Sequence, residues 1–147
     1  MDQKFIFYIA GSPKQVWEAI LLPEGVFKKM YGAVIKSTFK IGQRIEFIGP
    51  GPDGPETVQI YGRVLKFEPN KVLSYTDHPG PSYYPNHAEL ESRVTFTLEP
   101  VGKTSKLTLV EDQSSAGDGE EDQSWLWWLI LSNLKTLVET GKTLDFS

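Results

Sequence analysis

The clearest pattern of apolar positions lies near the end of the chain, between Asp122 and Gly141. Apolar residues recur there three or four positions apart, which is the spacing of one face of an α-helix. A glycine at position 141 suits the left-handed residue that often follows a helix. The recurring positions are Trp127, Ile130, Leu131, Leu134, Leu137 and Val138. The pattern predicts a long amphipathic helix, which needs a broad hydrophobic surface to cover its apolar face.

Shorter elements are predicted at the beginning of the chain. Residues Lys4 to Ile9 are rich in aromatic and β-branched types, so they predict a first strand. The Ser-Pro-Lys-Gln sequence at positions 12–15 combines an N-cap, a first-turn proline and a capping box. Pro23 interrupts this helix, and Glu24 to Tyr31 can form a second one. We therefore expect two short helices after the first strand.

Beyond these helices the apolar residues follow the alternating period of β-strands. The segment Gly49 to Glu56 is so rich in proline and glycine that we expect a connection there and not an interior strand. The predicted strands are Ala33–Phe39, Arg44–Ile48, Thr57–Phe67, Val72–Asp77, Glu89–Glu99 and Lys103–Asp112. With the first strand, they predict one α+β domain built on an antiparallel sheet of about six to seven strands.

The period of two also predicts which side chains share a face of the sheet. If Glu68 to Lys71 is a plain four-residue turn, one face of the hairpin around it carries Ile60, Gly62, Val64, Leu73, Tyr75 and Asp77. In the last hairpin a common face carries Val94, Phe96, Leu98, Leu107 and Leu109. We expect these two faces to join into one concave surface beneath the long helix, with a gap at the side-chain-free Gly62.

Composition narrows the classes of function. The chain has 147 residues, no cysteine and a formal net charge of -4. Without cysteine there can be no disulfide, thiol nucleophile or zinc–thiolate site. Without a basic cluster, attraction to nucleic acid is not indicated. No apolar run is long enough for a signal peptide or a membrane span, so we expect a cytoplasmic protein.

Several of these segments together resemble one protein family. The opening Ala10-x-Ser12-Pro13-x-x-Val16-Trp17 with Pro23-Glu24, the pairs Gly62-x-Val64 and Tyr75-Thr76, and Thr104-x-x-Leu107-Thr108-Leu109 keep that family's order. The end, Trp127-x-x-x-Leu131-x-x-Leu134-Lys135-x-x-Val138-Glu139-x-Gly141, is similar to its final helix. On these residues the chain resembles the activator of heat-shock-protein-90 ATPase homologue family.

The resemblance implies the START-like, helix-grip fold: a curved antiparallel sheet around a long C-terminal helix, with two short helices after strand 1. It also implies a cavity between helix and sheet that takes small hydrophobic ligands. The chain departs from the family pattern at Met30 and Tyr31, where tryptophan is frequent, and at Leu126, where glycine is frequent. The ligand preference of the family therefore does not carry over.

The predicted site follows from the apolar face of the helix and from the implied cavity. Aromatic and aliphatic side chains at these positions either line a ligand cavity or simply fill the core. Two of them, Tyr75 and Asp77, would supply polar groups that orient a ligand. The candidate ligand-binding residues are Met30, Tyr31, Phe47, Ile60, Tyr75, Asp77, Trp127, Leu131 and Leu134. The leading hypothesis is non-catalytic binding of a small apolar or aromatic molecule.

Other functions stay open at this stage. A cyclase- or hydratase-like reaction on an aromatic or polyketide-type substrate requires an ionisable group in the cavity, and Asp77 or Glu111 could supply it. The name of the family also suggests a co-chaperone-like role in protein–protein interaction. No metal or other cofactor is predicted, because His78 and His87 with Asp77 and Glu89 fit no compact ligand motif.

Two tryptophans lie off the main apolar face of the predicted helix. Trp125 and Trp128 make its first turns apolar nearly all round. Either the sheet edge and a loop cover them, or another chain does, as a second copy or as a partner protein, since tryptophan is frequent at interface centres. The sequence thus raises a possible homodimer through Trp125 and Trp128.

Overall fold

The structure is a computed structural model that describes residues 2–112 and 124–147. Within these residues the chain forms a sheet, three α-helices and a 3-10 turn at His87–Glu89. The elements in order are β1 (Asp2–Ile9), α1 (Pro13–Leu21), α2 (Val26–Tyr31), β2 (Val34–Ser37), β3 (Arg44–Gly51), β4 (Gly54–Glu68), β5 (Val72–Pro79), β6 (Ser92–Val101), β7 (Thr104–Asp112) and α3 (Ser124–Thr140).

The seven described strands form one antiparallel sheet in the order β1-β7-β6-β5-β4-β3-β2. Sequential hairpins build most of it, and β1 joins at the far side by pairing with β7. The sheet curves around α3, and the two short helices follow β1. This arrangement is the helix-grip fold, and it confirms the α+β prediction with its seven-stranded sheet and its two short helices.

One face of the sheet carries the core. Phe5, Leu109, Phe96 and Leu73 are cross-strand neighbours on β1, β7, β6 and β5, and each is at least 97% buried. The face predicted for the last hairpin is confirmed, because Phe96 pairs with Leu109 and Leu98 pairs with Leu107. Alternate residues with their side chains on this face give α3 the apolar surface that it needs.

The β4–β5 hairpin has the predicted buried face, but its turn and its strand pairing near the turn differ from the prediction. Phe67 pairs with Leu73 and not with Val72, so the turn is one residue longer than expected, and Asn70 takes the left-handed conformation with φ 65°. An irregularity between Val64 and Lys66 then shifts the pairing by one residue. Because the two shifts cancel, Val64 pairs with Tyr75 as predicted.

One prediction about glycine- and proline-rich positions holds, and one is wrong. Gly49 to Glu56 is a connection and not an interior strand, but β3 continues to Gly51 in an edge hairpin, because Pro50 sits at a shift in register where no ladder donor is required. Gly62 leaves no gap, since a Cβ placed there would overlap the carbonyl group of Thr76 on the neighbouring strand. Glycine at this position allows a close approach of two backbones.

The long helix α3 lies along the concave face, with Leu131 and Leu134 fully buried. Lys135 Nζ donates to the carbonyl oxygen of Tyr8 at 2.7 Å, and the Glu139 carboxylate accepts from the Ala10 amide at 2.7 Å. These bonds hold the second half of the helix against the end of β1. Gly141 follows the helix with φ 78°, as predicted. The predicted beginning, at residues 122–123, lies outside the described residues, as does the predicted loop 113–121.

The short helices close one end of the sheet. The predicted capping box is present, because the Ser12 hydroxyl accepts from the Gln15 amide at 3.2 Å and the Gln15 side chain accepts from the Ser12 amide at 2.8 Å. α2 ends at Gly32, which is left-handed with φ 67°. In residues 2–112 and 124–147, no helix combines the length and apolarity that crossing a bilayer requires.

Candidate ligand-binding site

A cavity of about 710 Å³ lies between the concave face of the sheet, α2 and the first turns of α3. This volume is within the range of pockets that hold small organic molecules. Aromatic and aliphatic side chains predominate in its lining, with carboxylates among them. The lining residues are Phe27, Tyr31, Phe47, Pro50, Gln59, Ile60, Tyr75, Asp77, Pro79, Tyr83, Tyr84, Leu90, Glu91, Ser92, Glu111, Leu126, Trp127 and Ile130.

The structure brings six of the nine predicted site residues to this cavity. They are Tyr31, Phe47, Ile60, Tyr75, Asp77 and Trp127. The first five come from four separate elements, namely α2, β3, β4 and β5, and Trp127 comes from α3. Their role in binding a ligand stays a prediction, but their positions around one space follow from the curved sheet and the helix above it.

The other three predicted site residues do not reach the cavity. Leu131 and Leu134 lie one and two turns after Trp127, where α3 packs tightly on the sheet, and both are fully buried in the core. Met30 packs against that core from α2. Helical spacing identified the buried face of α3 correctly, but only the first turns of that face border the open space. Ile130, on the same face, does line the cavity.

Aromatic rings form a continuous series along one side of the cavity. Phe27 on α2 meets Phe47 on β3 edge-on, with 5.0 Å between ring centroids. Phe47 in turn lies 5.7 Å from Tyr75 on β5. On the α3 side, Trp127 packs edge-on against Phe96, with 5.9 Å between centroids. These contacts hold the rings in fixed positions, so the apolar lining is largely preformed.

One end of the cavity carries polar groups from two strands, and we call Tyr75, Asp77 and Glu111 the polar end. Tyr75 and Glu111 both pair with Val94, on opposite sides of β6, so their side chains share the concave face. Asp77 lies two residues further along β5 on the same face. Within residues 2–112 and 124–147, neither the Tyr75 hydroxyl nor the Asp77 carboxyl group has a hydrogen-bonding partner, and both residues line the cavity.

Burial changes the acidity of these groups. Burial raises the pKa of Asp77 to about 7, and the negative charge of Glu111 contributes to that rise. The pKa of Tyr75 lies well above its ordinary value, mainly because the phenol is buried and also because Asp77 and Glu111 disfavour a further negative charge. Near neutral pH, Tyr75 is therefore a permanent hydrogen-bond donor, whereas Asp77 exchanges a proton with its surroundings.

The cavity opens to solvent beside three tyrosines. Tyr31, Tyr83 and Tyr84 line it and are 39%, 41% and 50% exposed. Tyr83 and Tyr84 belong to residues 80–91, which we call the mouth loop. Burial raises the pKa of Tyr31, so this phenol also stays protonated near neutral pH.

Two histidines fix the mouth loop to the outer side of the sheet. The Tyr61 hydroxyl forms a hydrogen bond of 2.5 Å with His87 Nδ1, and His78 Nδ1 lies 3.1 Å from the carbonyl oxygen of His87. His78 Nε2 lies 3.3 Å from a carboxylate oxygen of Glu91. These contacts involve both ring nitrogens of His78 and Nδ1 of His87. The described residues contain no cluster of His, Asp or Glu arranged to hold a metal ion.

The two tryptophans off the main face of α3 are half exposed. Trp125 is 57% and Trp128 is 50% exposed. The Trp128 ring packs edge-on against Phe5, with 4.9 Å between centroids, and also touches Phe7. Trp128 thus partly covers β1, while much of both indoles remains available for contact.

Solved structures share this fold along nearly the whole chain. ChR145 from Cytophaga hutchinsonii is 25% identical, with 94% of this chain and 93% of that chain aligned and a TM-score of 0.73. The Aha1 dimer from Colwellia psychrerythraea is 19% identical, with 97% and 98% aligned and a TM-score of 0.67. DynU16, a protein in the dynemicin biosynthetic locus, is 19% identical with a TM-score of 0.69, and this chain spans about half its length, 48%.

Sequence comparison gives a more specific result. No curated protein matches the chain. One family model, described as Activator of Hsp90 ATPase homolog 1-like protein, matches residues 10–139. This match includes α1, α2, the sheet from β2 to β7 and nearly all of α3, and it confirms the resemblance drawn from the sequence motifs. The chain therefore belongs to the Activator of Hsp90 ATPase homolog 1-like protein family.

Proposed function

We propose that this protein binds a small apolar or aromatic molecule in the cavity between α3 and the sheet, without transforming it. The observation that supports this proposal is a cavity of about 710 Å³ that combines a preformed aromatic lining with polar groups at one end. A core that served packing alone would be filled to the density of an organic crystal. Space of this size between well-packed elements favours a site for a guest molecule.

The expected affinity follows from apolar burial. A naphthalene-sized molecule would bury roughly 300 Å² of apolar surface, worth about 7 kcal/mol at ~25 cal/mol per Å². Lost translational and rotational freedom costs about 4 kcal/mol or more. The difference of about 3 kcal/mol or less corresponds to dissociation constants of several millimolar or weaker for simple probes. A physiological ligand that also bonded to Tyr75 and Asp77 would bind more tightly.

Entry of such a ligand requires the mouth of the cavity to open. Tyr83 and Tyr84 lie on the mouth loop, and Tyr31 lies on the short helix α2 opposite it. The loop is fixed by a few polar contacts and carries no buried apolar anchor at its exposed tip. We expect the loop and α2 to act as the gate, as mobile loops do at many enclosed sites.

A thermal-shift screen tests the proposal. Flat aromatic compounds should raise the melting temperature in proportion to the logarithm of their concentration, because they bind the folded state. Trp127→Ala removes one side of the lining and should weaken this response. Trp128→Ala, which removes an indole outside the cavity, is the matched control and should leave it unchanged. If no compound stabilises the wild type, or if both variants respond equally, the cavity is not the binding site.

A second candidate function is acid–base catalysis, and the protonation of Asp77 favours it. A carboxyl group with a pKa of about 7 beside a protonated phenol can give or take a proton near neutral pH. A cyclase- or hydratase-like reaction on an aromatic substrate would use both groups. Asp77→Asn should then abolish turnover while binding persists. Retained turnover in this variant would exclude Asp77 as the acid or base.

Protein partners form a further part of the proposal. The half-exposed Trp125 and Trp128 support a homodimer through the beginning of α3. Light scattering should then show a dimer that Trp125→Glu dissociates, and a monomeric wild type would exclude it. A co-chaperone role rests on the family description alone, and a pull-down that recovers no chaperone would argue against it. The cytoplasmic location stays a prediction.

A further inference from the structure

Among the described residues, the formal charges that line the cavity are all negative. The lining residues that carry a formal charge are Asp77, Glu91 and Glu111, and no lysine, arginine or histidine is among the described lining residues. Glu91 lies nearer the mouth, where His78 Nε2 is 3.3 Å from it. Asp77 and Glu111 belong to the polar end. An anionic ligand would meet two carboxyl groups there and no basic side chain to pair with.

A second observation concerns the hydrogen bonding of Tyr75 and Asp77 at the polar end. Tyr75 is 99% buried, lines the cavity and has no hydrogen-bonding partner in the described part of the chain. A buried hydroxyl group without a partner loses its bonds to water, so it is normally satisfied by protein, water or ligand. The unbonded Asp77 carboxyl group, two residues further along the same face, provides acceptors beside this hydroxyl group.

These observations identify the chemistry that the site would recognise. A protonated amine supplies both the positive charge and the hydrogen-bond donors that a carboxylate accepts. Aromatic faces such as those of Phe47 and Trp127 favour the attached ring system and tolerate a nearby cation. A carboxylate ligand would instead be repelled, or would have to bind as the neutral acid.

We propose that the cavity selects flat aromatic amines, holding the ring between α3 and the aromatic side of the sheet and the ammonium group at Asp77, and that it discriminates against aromatic carboxylates. This inference rests on the proposed function, because it specifies the class of ligand for the same cavity. The inference predicts that the affinity for the amine rises with pH, whereas the affinity of an anion for the same site would fall. Ionised Asp77 attracts the ammonium group, and protonated Asp77 does not.

The pH dependence follows from the groups that face Asp77. With a pKa of about 7, Asp77 is about one-tenth ionised at pH 6 and about nine-tenths ionised at pH 8. If the ionised form binds the ammonium group, affinity should rise about tenfold between these two values. The other ionisable groups around the cavity are Tyr31, Tyr75, Tyr83, Tyr84, Glu91 and Glu111. All of them remain in the Asp77→Asn variant, which therefore isolates the contribution of Asp77.

Three matched probes test the proposal by isothermal titration calorimetry. These are 1-naphthalenemethylamine, 1-naphthalenemethanol and 1-naphthoate, which share a ring system and differ in the polar group. At pH 8 the amine should bind at least about tenfold more tightly than the alcohol, and the carboxylate should bind most weakly. The amine should lose about tenfold at pH 6, while the alcohol should change little.

Two variants test which carboxyl group is responsible for the preference for the amine. Asp77→Asn should remove most of the preference for the amine over the alcohol and the pH dependence of amine binding, while the alcohol still binds. Glu111→Gln is a second variant and should reduce the preference for the amine in part. If the carboxylate binds as tightly as the amine, or if Asp77→Asn keeps the full preference, the inference is overturned and the proposed function stands. If none of the three probes binds, the proposed function itself fails.

Discussion

Replacing Asp77 with asparagine removes an ionisable group from the polar end of the cavity and keeps the shape of the side chain. Burial raises the pKa of this carboxyl group from 3.8 to about 7 in the folded protein, with a contribution from Glu111. The folded state therefore holds a proton that the unfolded chain releases. Ionisation of Asp77 opposes folding, so its contribution to stability is most favourable below pH 3.8 and is lost as the pH rises to about 7.

The size of the effect follows from these two values. Between pH 5 and pH 8.5 the unfolded chain is ionised at Asp77 throughout, while the folded protein changes from protonated to ionised. Integration of the proton linkage gives a loss of about 2.7 kcal/mol in the free energy of unfolding over this interval. Asparagine cannot ionise, so Asp77→Asn should gain about that much stability relative to the wild type between the two pH values.

Urea denaturation of both proteins at several pH values measures this difference. Asp53→Asn is the matched control, because it removes a carboxylate from the exposed β3–β4 turn. The stability difference between this control and the wild type should change little with pH. If Asp77→Asn behaves like the control, Asp77 ionises in the folded protein as it does in water. If Asp77→Asn becomes relatively less stable at pH 8.5, the sign of the argument is wrong.

Two further substitutions, Gly62→Ala and Tyr61→Phe, test the strand packing and the mouth loop around the cavity. Gly62→Ala should destabilise the protein by about 2–3 kcal/mol in denaturation experiments, because its Cβ would overlap the Thr76 carbonyl group. Gly11→Ala, where the new Cβ would meet side-chain atoms of Val138 at 2.6 Å and Gln15 at 3.2 Å but no backbone, should cost less; equal costs would contradict this contrast. Tyr61→Phe removes the hydrogen bond to His87 and should destabilise the mouth loop by about 1 kcal/mol, seen as faster amide exchange in residues 80–91. Unchanged exchange would show that this bond does not fix the loop.

The elements of the fold could be predicted because their signals are local. The apolar period identifies α3, and the capping box at Ser12 identifies α1 before any tertiary contact is considered. Alternation in β6 and β7 gives the correct buried face, since a shift by one residue would place charged side chains in the core. The family motifs add the curvature of the sheet, which no single segment encodes.

The composition of the site could be predicted only in part, because it depends on how distant elements meet. Tyr83 and Tyr84 lie in a segment without periodicity, so nothing local places them at the mouth. Glu111 approaches Asp77 only through the combined register of β5, β6 and β7. The helical period places Leu131 on the buried face of α3, but it cannot tell which part of that face borders the cavity.

The β4–β5 hairpin shows a different limit. Its turn was predicted with the wrong length, yet Val64 and Tyr75 pair as expected because the irregularity after Val64 compensates. Turn length depends on whether Asn70 adopts a left-handed conformation, which asparagine tolerates but does not require. The correct face was obtained because burial of Tyr75 constrains the register more strongly than the turn does.

The most direct test of a ligand-binding cavity is the position of a bound probe. In an NMR experiment with 1-naphthalenemethanol, intermolecular nuclear Overhauser effects should connect the naphthalene protons with the rings of Trp127, Tyr75 and Phe47. Those rings are buried around the cavity, whereas Trp125 is exposed outside it. Contacts to the three buried rings are the result that we predict. Contacts confined to Trp125, or no saturable binding, would contradict the account.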